Sequence, residues 1–483
     1  MTLSELLQDV EVIGEFTDVE IKDVTDSTQR MVPGCAFVCI RGERTDGNAF
    51  AQNALDAGAA CIVTEADLGL SNQVLVKNSR EAYALMCGAY FGNPARMLRL
   101  IGVTGTNGKT TTTYLLKEIL EKAGYSVGLI GTIEDIVGKR IFDASRTTPD
   151  PYELHKLFRH MADAGCQYCV MEVSSQALAQ GRVIGCWFDT AVFTNLTRDH
   201  LDYHKTMDNY LSAKKILFSQ CDTGVVNIDD KYARYIIAGS DCQAVSFSIN
   251  NLAHYRARDI ILRDDGTEYR LEAKGKEFSV QLPILGEFSV LNSLGAIAAA
   301  SECGIAMPCI LDALANSKGV RGRLEFVPTG RDFSVIIDYA HTPDGLENVL
   351  CALNRLKKGR IITVFGCGGD RDKTKRPMMG AIAAKLSDYC IITSDNPRTE
   401  NPMQIIRDIL PAFADMPAQT YQVVENRREA IVAALASAEK DDIVLLAGKG
   451  HECYQILNDG VIHFDEREIV ANFLNNKTQE PTQ

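Results

Sequence analysis

Short apolar runs alternate along this chain with amphipathic stretches. The runs "CAFVCI", "AACIVT" and "QVLVK" in the first hundred residues are too short for helices. With helix-like stretches between them, they predict a small α/β unit. The unit ends near "FGNPARM", whose Gly and Pro residues read as a linker. A second block opens on the strand "MLRLIGVTG", turns through glycines and continues in "TTTYLLKEILEKAGY", where Leu115, Leu116, Ile119 and Leu120 form one apolar helical face. "YCVMEVSS" and "TAVFTNL" follow as buried strands at intervals that fit a parallel sheet. From "GVRGRLEFV" onward, the strands "FSVIIDYA", "RIITVFGC", "YCIITSD" and "DIVLLAG" alternate with helical stretches, the rhythm of a doubly wound sheet.

Length and charge narrow this picture. A chain of 483 residues is too long for one core, and about three domains are expected. Lys and Arg total 50 against 63 Asp and Glu, a net charge of -13, which argues against general nucleic-acid binding but leaves room for a local pocket for an anionic small molecule. No run approaches the roughly 20 apolar residues of a membrane span, and "MTLSELLQDVEVIGEF" lacks a basic region followed by an apolar one, so a cytoplasmic location is expected. Fifteen cysteines, an odd number at apolar positions such as Cys35, Cys39, Cys303 and Cys390, read as buried reduced thiols. Cys166 and Cys169 form a lone CxxC, read as a packed strand entry rather than a zinc site.

The glycine turn carries the first chemistry. "GVTGTNGKTTT" begins at Gly102, and the pattern G-x-x-x-x-G-K-[ST] would need a glycine at Val103. Glycines stand instead at Gly102, Gly105 and Gly108. The strand–turn–helix context still suits a phosphate loop: Lys109 can meet terminal phosphates, the Thr110 hydroxyl can ligate magnesium, and helix-start N–H groups face the anion. Glu172 ends one apolar strand, and Asn195, Asp199 and His200 follow another, so a carboxylate and an imidazole could hold magnesium there. The plainer alternative has Glu172 capping a helix and His200 in an ordinary loop. "DNPR" (Asp395 to Arg398) and "GKGHE" (Gly448 to Glu452) put both signs of charge after buried strands, which suits a zwitterion, or else simply solvated turns. From these residues alone, a P-loop phosphotransferase or a nucleotide sensor without turnover stays open.

Taken in order, "TTP" at Thr147 to Pro149, "MEVSSQAL", "FTNLTRDHLDYH", "NYLSAKKILF", "DYAHTPD", "GCGGDRDKTKRP", "DNPR" and "GKGHE" resemble the Mur ligase family over nearly the whole chain. The family's phosphate loop reads G-T-x-G-K-T, as in Gly105 to Thr110, so the missing glycine at Val103 is the family's own form. The motifs look most like those of the member that adds the third residue of the cell-wall peptide stem. The resemblance implies an α/β fold of three domains: a small N-terminal α/β domain at 1–97 binding the UDP substrate, a central P-loop-type ATPase sheet at 98–320, and a C-terminal doubly wound Rossmann-like sheet at 321–483 binding the amino acid. It implies ATP-dependent amide formation between UDP-N-acetylmuramoyl-L-Ala-D-Glu and a diamino acid, with Mg2+, in a protein expected to be a monomer.

Residue by residue, the resemblance gives ATP binding to Gly105, Thr106, Asn107, Gly108, Lys109, Thr110 and Thr111, with Asn292 at adenine, Arg323 and Asp338 at ribose or phosphate, and His341 near the nucleotide. Lys109, Glu172, His200 and Lys214 are the implied catalytic set; Thr110, Glu172, His200 and Lys214, the last as a carbamate, are the implied metal ligands. Carbamylation turns the Lys214 cation into a carboxylate-like oxygen donor. Ser27, Glu43, Arg44 and Thr45 match the uridine-binding loops, and Thr147, Thr148, Ser174, Gln180 and Arg182 the muramoyl-peptide positions. Arg371, Asp395, Asn396, Arg398, Gly448 and Glu452 match the diamino-acid site, and the arginine of D-N-P-R implies meso-diaminopimelate rather than L-lysine, which lacks the distal carboxylate. Ser289 and Arg321 depart from the family, which often has asparagine and proline there.

Overall fold

The computed structural model describes residues 1–42, 45–263 and 265–477. Its strands form three main sheets and a separate hairpin. In the first sheet Asp23–Thr25, Cys35–Val38, Cys61–Thr64 and Gln73–Val76 run parallel, and Val12–Ile13 closes one edge antiparallel. The three apolar runs near the start are therefore strands, as their length and β-branched content predict. "FGNPARM" is not an open linker: Asn93 takes a left-handed φ of 51°, Pro94–Met97 makes a 3-10 turn, and Ala95 packs into the next core.

Seven strands run parallel through the second sheet: Val127–Ile130, Tyr168–Glu172, Arg99–Thr104, Phe188–Phe193, Cys221–Asn227, Gln243–Ser248 and Tyr255–Arg263. Helices Lys109–Lys122 and Glu287–Glu302 bury Leu115, Leu116, Ile119, Leu120 and Ile297 on one face. Pro151–Asp163 and Met207–Lys215 bury Leu154, Phe158, Met161 and Tyr210 on the other. The sheet continues to eleven strands through the hairpin Glu134–Val137/Arg140–Asp143 at one edge and, at the other, through Gly266–Ala273 and Lys276–Leu282, which form an antiparallel meander with Tyr255–Arg263. The chain leaves Arg99–Thr104 toward one side and later returns to its other side, so a crevice opens at the carboxyl ends, where such sheets bind ligands.

The third sheet has Glu325–Val327 antiparallel at its edge, then Ser334–Asp338, Ile443–Ala447, Ile361–Phe365, Tyr389–Ile392 and Tyr421–Val423, all parallel. Ile443–Ala447, last of the parallel strands in sequence, lies between Ser334–Asp338 and Ile361–Phe365, which makes this a second reversal point. "DYAHTPD", "GCGGD", "DNPR" and "GKGHE" all follow carboxyl ends of this sheet. All fifteen cysteines are free thiols, and Cys169 is buried in the Tyr168–Glu172 strand. Among the described residues no helix is long and apolar enough to cross a membrane.

Candidate functional site

A cleft of about 520 Å³ separates the second and third sheets, lined by Thr106 to Thr111, Glu172, His200, Asn292, Arg323, Asp338 and His341. The register explains the glycine spacing. Val103 is fully buried inside the strand, opposite Glu172 on one side and Val192 on the other, so the loop starts only at Gly105. Gly105 has φ +153° and a Cβ there would lie 1.8 Å from Thr194 Oγ1; Gly108 has φ +85° and its Cβ would lie 2.2 Å from Asn292 Oδ1. Only glycine fits both places. Asn195 fixes the loop, its Oδ1 accepting from Asn107 N–H at 2.9 Å and its Nδ2 donating to Asn107 O at 3.2 Å.

Lys109 Nζ donates to the carbonyls of Gly105 and Thr106, both at 2.9 Å, and burial lowers its pKa against the pull of Glu172 and Asp199. Lys214, on the helix Met207–Lys215, is fully buried, donates to the same Gly105 carbonyl at 2.7 Å and stands 4.6 Å above the Tyr210 ring. Burial first, then the Lys109 charge, pushes its pKa well below that of an ordinary lysine. Its amine is therefore held toward the neutral, nucleophilic form. Glu172 accepts from Thr132 N–H and Thr132 Oγ1, both at 2.9 Å, and His200 has its Nε2 3.4 Å from Asp199 Oδ2. Burial lowers the His200 pKa more than Asp199 raises it, so the ring is disposed to be neutral and able to ligate.

Among the described residues no group of three or more His, Cys, Asp or Glu could hold a metal ion. A sparse oxygen set nonetheless fits magnesium, which keeps several waters and takes one or two carboxylates beside phosphates; the Thr110 hydroxyl and Glu172 carboxylate line the same cleft. Thr110 Oγ1 at present accepts from Arg323 Nη2 at 3.0 Å, across the cleft. Arg323 lies 4.5 Å over the Tyr339 ring. Asp338 uses both oxygens on backbone N–H groups, of Ala340 at 2.7 Å and Leu324 at 2.6 Å. His341 donates from Nδ1 to Tyr339 O at 2.9 Å, and burial lowers its pKa to about 4. Ser289 turns its hydroxyl onto Leu285 O, and Arg321 pairs with Asp465 at 2.8 Å.

The positions that the resemblance gives to a muramoyl-peptide gather against the Glu172 strand. Thr148 Oγ1 donates to Glu172 O at 2.9 Å and accepts from Ser174 N–H at 3.0 Å; Thr147 Oγ1 meets Thr132 Oγ1 at 3.1 Å. Arg182 donates to Thr148 O at 2.7 Å and to Gln180 Oε1 at 2.7 Å. On the first sheet's side, Ser27 caps the turn Thr28–Arg30 and Thr45 O accepts from Gly42 N–H. Glu43 and Arg44 lie outside the described residues. Arg30 connects the two regions, donating to Tyr83 at 3.0 Å while it lies 5.0 Å over the Tyr152 ring.

In the third sheet, Asn396 Nδ2 donates to Glu452 Oε2 at 2.9 Å, and Lys449 Nζ donates to Glu452 at 2.8 Å and to Asn396 Oδ1 at 3.1 Å. Arg398, in left-handed backbone, donates to Gly369 O at 2.8 Å, and Arg371 to Asp370 O at 3.0 Å. Burial, then the Arg371 charge, lowers the Arg398 pKa, so a bound anion there relieves both. Burial opposes ionisation of Asp395, yet Lys449 and Arg427 bring its pKa below the usual carboxylate value. Gly448 has φ +115°, and a Cβ would stand 2.7 Å from Asp395 Oδ2. The sequence reading gave no role to Lys449, inside a quoted motif, or to Asp344, whose Oδ2 accepts from Asn107 Nδ2 at 2.7 Å. Asp344 was findable only as the last residue of "DYAHTPD"; Arg427, which donates to Ala447 O at 2.8 Å beneath these loops, carried no signal.

Three family descriptions match the chain in order: "Mur ligase family, catalytic domain" at residues 20–101, "Mur ligase middle domain" at 103–300 and "Mur ligase, glutamate ligase domain" at 322–450. A Clostridium acetobutylicum protein named "UDP-N-acetylmuramoyl-L-alanyl-D-glutamate--2,6-diaminopimelate ligase 1" is 46% identical over 98% of this chain and 99% of its own length. A Clostridium perfringens protein named as a ligase of the same kind is 45% identical over 99% of this chain and 100% of its own. A solved structure titled "Structure of UDP-N-acetylmuramoyl-L-alanyl-D-glutamate--2, 6-diaminopimelate ligase" is 32% identical, with a TM-score of 0.70 over 95% of this chain and 96% of that one. With matching domains in the same order and close relatives along its whole length, the chain belongs to the Mur ligase family.

Proposed function

We propose that the chain is an ATP-dependent ligase that joins meso-diaminopimelate to the D-glutamyl carboxylate of UDP-N-acetylmuramoyl-L-Ala-D-Glu, in the cytoplasm, during peptidoglycan precursor synthesis. The observation that carries this reading is Thr148. Its hydroxyl bonds the backbone of Glu172, whose carboxylate lines the phosphate cleft, and its carbonyl accepts from Arg182, so residues suited to an acidic peptide stand against the phosphate site.

A free carboxylate is a poor electrophile. Attack of its oxygen on the γ-phosphorus breaks the bond to the β,γ-bridging oxygen, releases ADP and leaves an acyl phosphate. The amine nitrogen then attacks the acyl carbon, phosphate leaves, and the nitrogen loses a proton. Little covalent work falls to the protein, so alignment and charge neutralisation dominate. Lys109 exchanges its loop carbonyls for phosphate oxygens, the N–H groups at the start of Lys109–Lys122 face the anion, and Arg323 brings a second cation from the third sheet. Thr110, Glu172, His200 and a carbamate on Lys214 would hold magnesium. When bound, that ion neutralises charge between the phosphates and the incoming carboxylate. Lys214 is suited to carbamylation because burial shifts its amine toward the neutral form, the one that adds carbon dioxide.

Arg398 and Arg371 supply guanidinium for the distal carboxylate of meso-diaminopimelate, and Asp395 and Glu452 supply negative charge for its ammonium groups. L-Lysine offers nothing to the arginines. Mass spectrometry of a reaction with both substrates and ATP tests the reading: the nucleotide product gains one diaminopimelate residue per ADP formed. A stable phosphorylated nucleotide-peptide, or ADP without a coupled product, would refute it.

A further inference from the structure

Segment 321–325, which carries Arg323 to the phosphate loop, touches loop 448–452 backbone to backbone. Gly322 has φ +70°, and a Cβ would lie 2.1 Å from His451 N; Gly450 has φ +55°, and its Cβ would lie 2.8 Å from Gly322 O. Neither position has room for a side chain. Tyr339, beneath both, donates its N–H to Gly322 O at 2.9 Å and packs its ring 4.9 Å from that of His451.

Arg467, near the start of the helix Glu466–Lys477, grips both pieces. Its Nε donates to Glu325 Oε1 at 2.8 Å, its Nη2 bonds Glu325 Oε2, and its Nη1 reaches Gly450 O at 3.1 Å. Glu325 Oε2 also accepts from Gly322 N–H at 2.5 Å. Asp465 braces the assembly, accepting from Arg467 at 3.4 Å and from Arg321 at 2.8 Å. At one end of this latch Arg323 bonds Thr110; at the other, Lys449 and Glu452 bond each other and Asn396.

We propose that Arg467 is a positioning residue that locks the amino-acid loop to the segment bearing Arg323, so that filling either site sets the geometry of the other. The inference rests on the reading that Thr110 serves the nucleotide and Glu452 the diamino acid. Where filling one site shifts this connection, the effect on the two affinities is reciprocal, each ligand changing the other's Kd by the same factor. A movement of Gly450 cannot leave Gly322 in place, because their backbones are in contact and Arg467 holds both.

Titration calorimetry with a non-hydrolysable ATP analogue, at saturating UDP-N-acetylmuramoyl-L-Ala-D-Glu, tests it. In the wild type, saturating meso-diaminopimelate tightens analogue binding about fivefold or more. In Arg467→Ala that ratio falls to one, while each ligand's own Kd stays within about twofold. Arg467→Lys, which can pair with Glu325 but cannot also span to Gly450, gives a ratio between the two. Glu325→Gln lowers the ratio as well, and serves if Arg467→Ala does not fold. A wild-type ratio of one, or an unchanged ratio in Arg467→Ala or Glu325→Gln, would overturn the proposal. A wild type that binds the analogue but never diaminopimelate would instead overturn the substrate reading, and this inference with it.

Discussion

Lys109 and Lys214, from different helices, share one acceptor: the Gly105 carbonyl takes hydrogen bonds from both Nζ atoms, at 2.9 and 2.7 Å. Two cations on one oxygen disfavour each other, and the more deeply buried Lys214 is the one whose pKa falls well below normal. Carbamylation removes that conflict, since Lys214 then carries a negative charge beside Lys109. Lys214→Ala should therefore lower kcat about 100-fold or more. Wild-type enzyme stripped of carbon dioxide should lose activity and regain it with bicarbonate, whereas the variant responds to neither. Full activity of Lys214→Ala with or without bicarbonate would refute the carbamate.

Gly108 packs its backbone against Asn292, so a methyl group there collides with the side chain assigned to adenine. Its left-handed backbone adds about 1–2 kcal/mol of strain for any other residue. Gly108→Ala should raise KM for ATP about tenfold or more, with KM for meso-diaminopimelate much less affected. Initial rates at varied ATP decide it, and an unchanged KM for ATP would remove Gly108 from the nucleotide site.

Arg398 occupies left-handed backbone, which asparagine tolerates well. Arg398→Asn thus deletes the guanidinium with little backbone cost. It should lower kcat/KM for meso-diaminopimelate about 100-fold, the scale of one lost charge-assisted pairing, and leave KM for ATP near wild type. Equal losses for meso-diaminopimelate and L-lysine would contradict a role in reading the distal carboxylate.

His155 is buried beside Phe158 and Gly88, with neither ring nitrogen hydrogen-bonded, and burial lowers its pKa to about 4. Its folded pKa lies below the unfolded value of 6.5, so between these values the unfolded chain binds the extra proton and stability falls as pH drops. By pH 5 this one ring costs about 2 kcal/mol. His155→Leu should narrow the difference between urea midpoints measured at pH 7 and pH 5. An undiminished difference would mean that His155 does not titrate on unfolding.

The parts of this molecule that sequence made legible are local ones. The strand Arg99–Thr104, the glycine turn and the apolar face of Leu115, Leu116, Ile119 and Leu120 lie within residues 99–120, where periodicity and backbone chemistry suffice. The parallel rhythm of the third sheet was legible for the same reason. The meander from Tyr255 to Leu282 was not read, although Thr267, Tyr269, Leu271 and Ala273 are buried at every second position; the period-two signal was there, set among the charged residues of its more exposed face and of the half-exposed strand Tyr255–Arg263. "FGNPARM" looked like a linker because Gly and Pro mark breaks whether or not the segment is packed, and only the fold shows Ala95 in a core. The polar network was the least accessible part. Asn107 and Asp344 bond across 237 positions and Arg467 and Glu325 across 142, distances over which residue type alone cannot assign partners. Lys214 entered only through family resemblance, since nothing local to "NYLSAKKILF" reveals the Gly105 carbonyl 109 positions away.

Phosphate release measured in parallel reactions tests the central claim most directly. Each contains the protein, magnesium, ATP and UDP-N-acetylmuramoyl-L-Ala-D-Glu, with meso-diaminopimelate, L-lysine or no amine. The account predicts sustained release with meso-diaminopimelate, far slower release with L-lysine, and at most one equivalent per enzyme without amine. Sustained release without amine, or a higher kcat/KM for L-lysine, would contradict it.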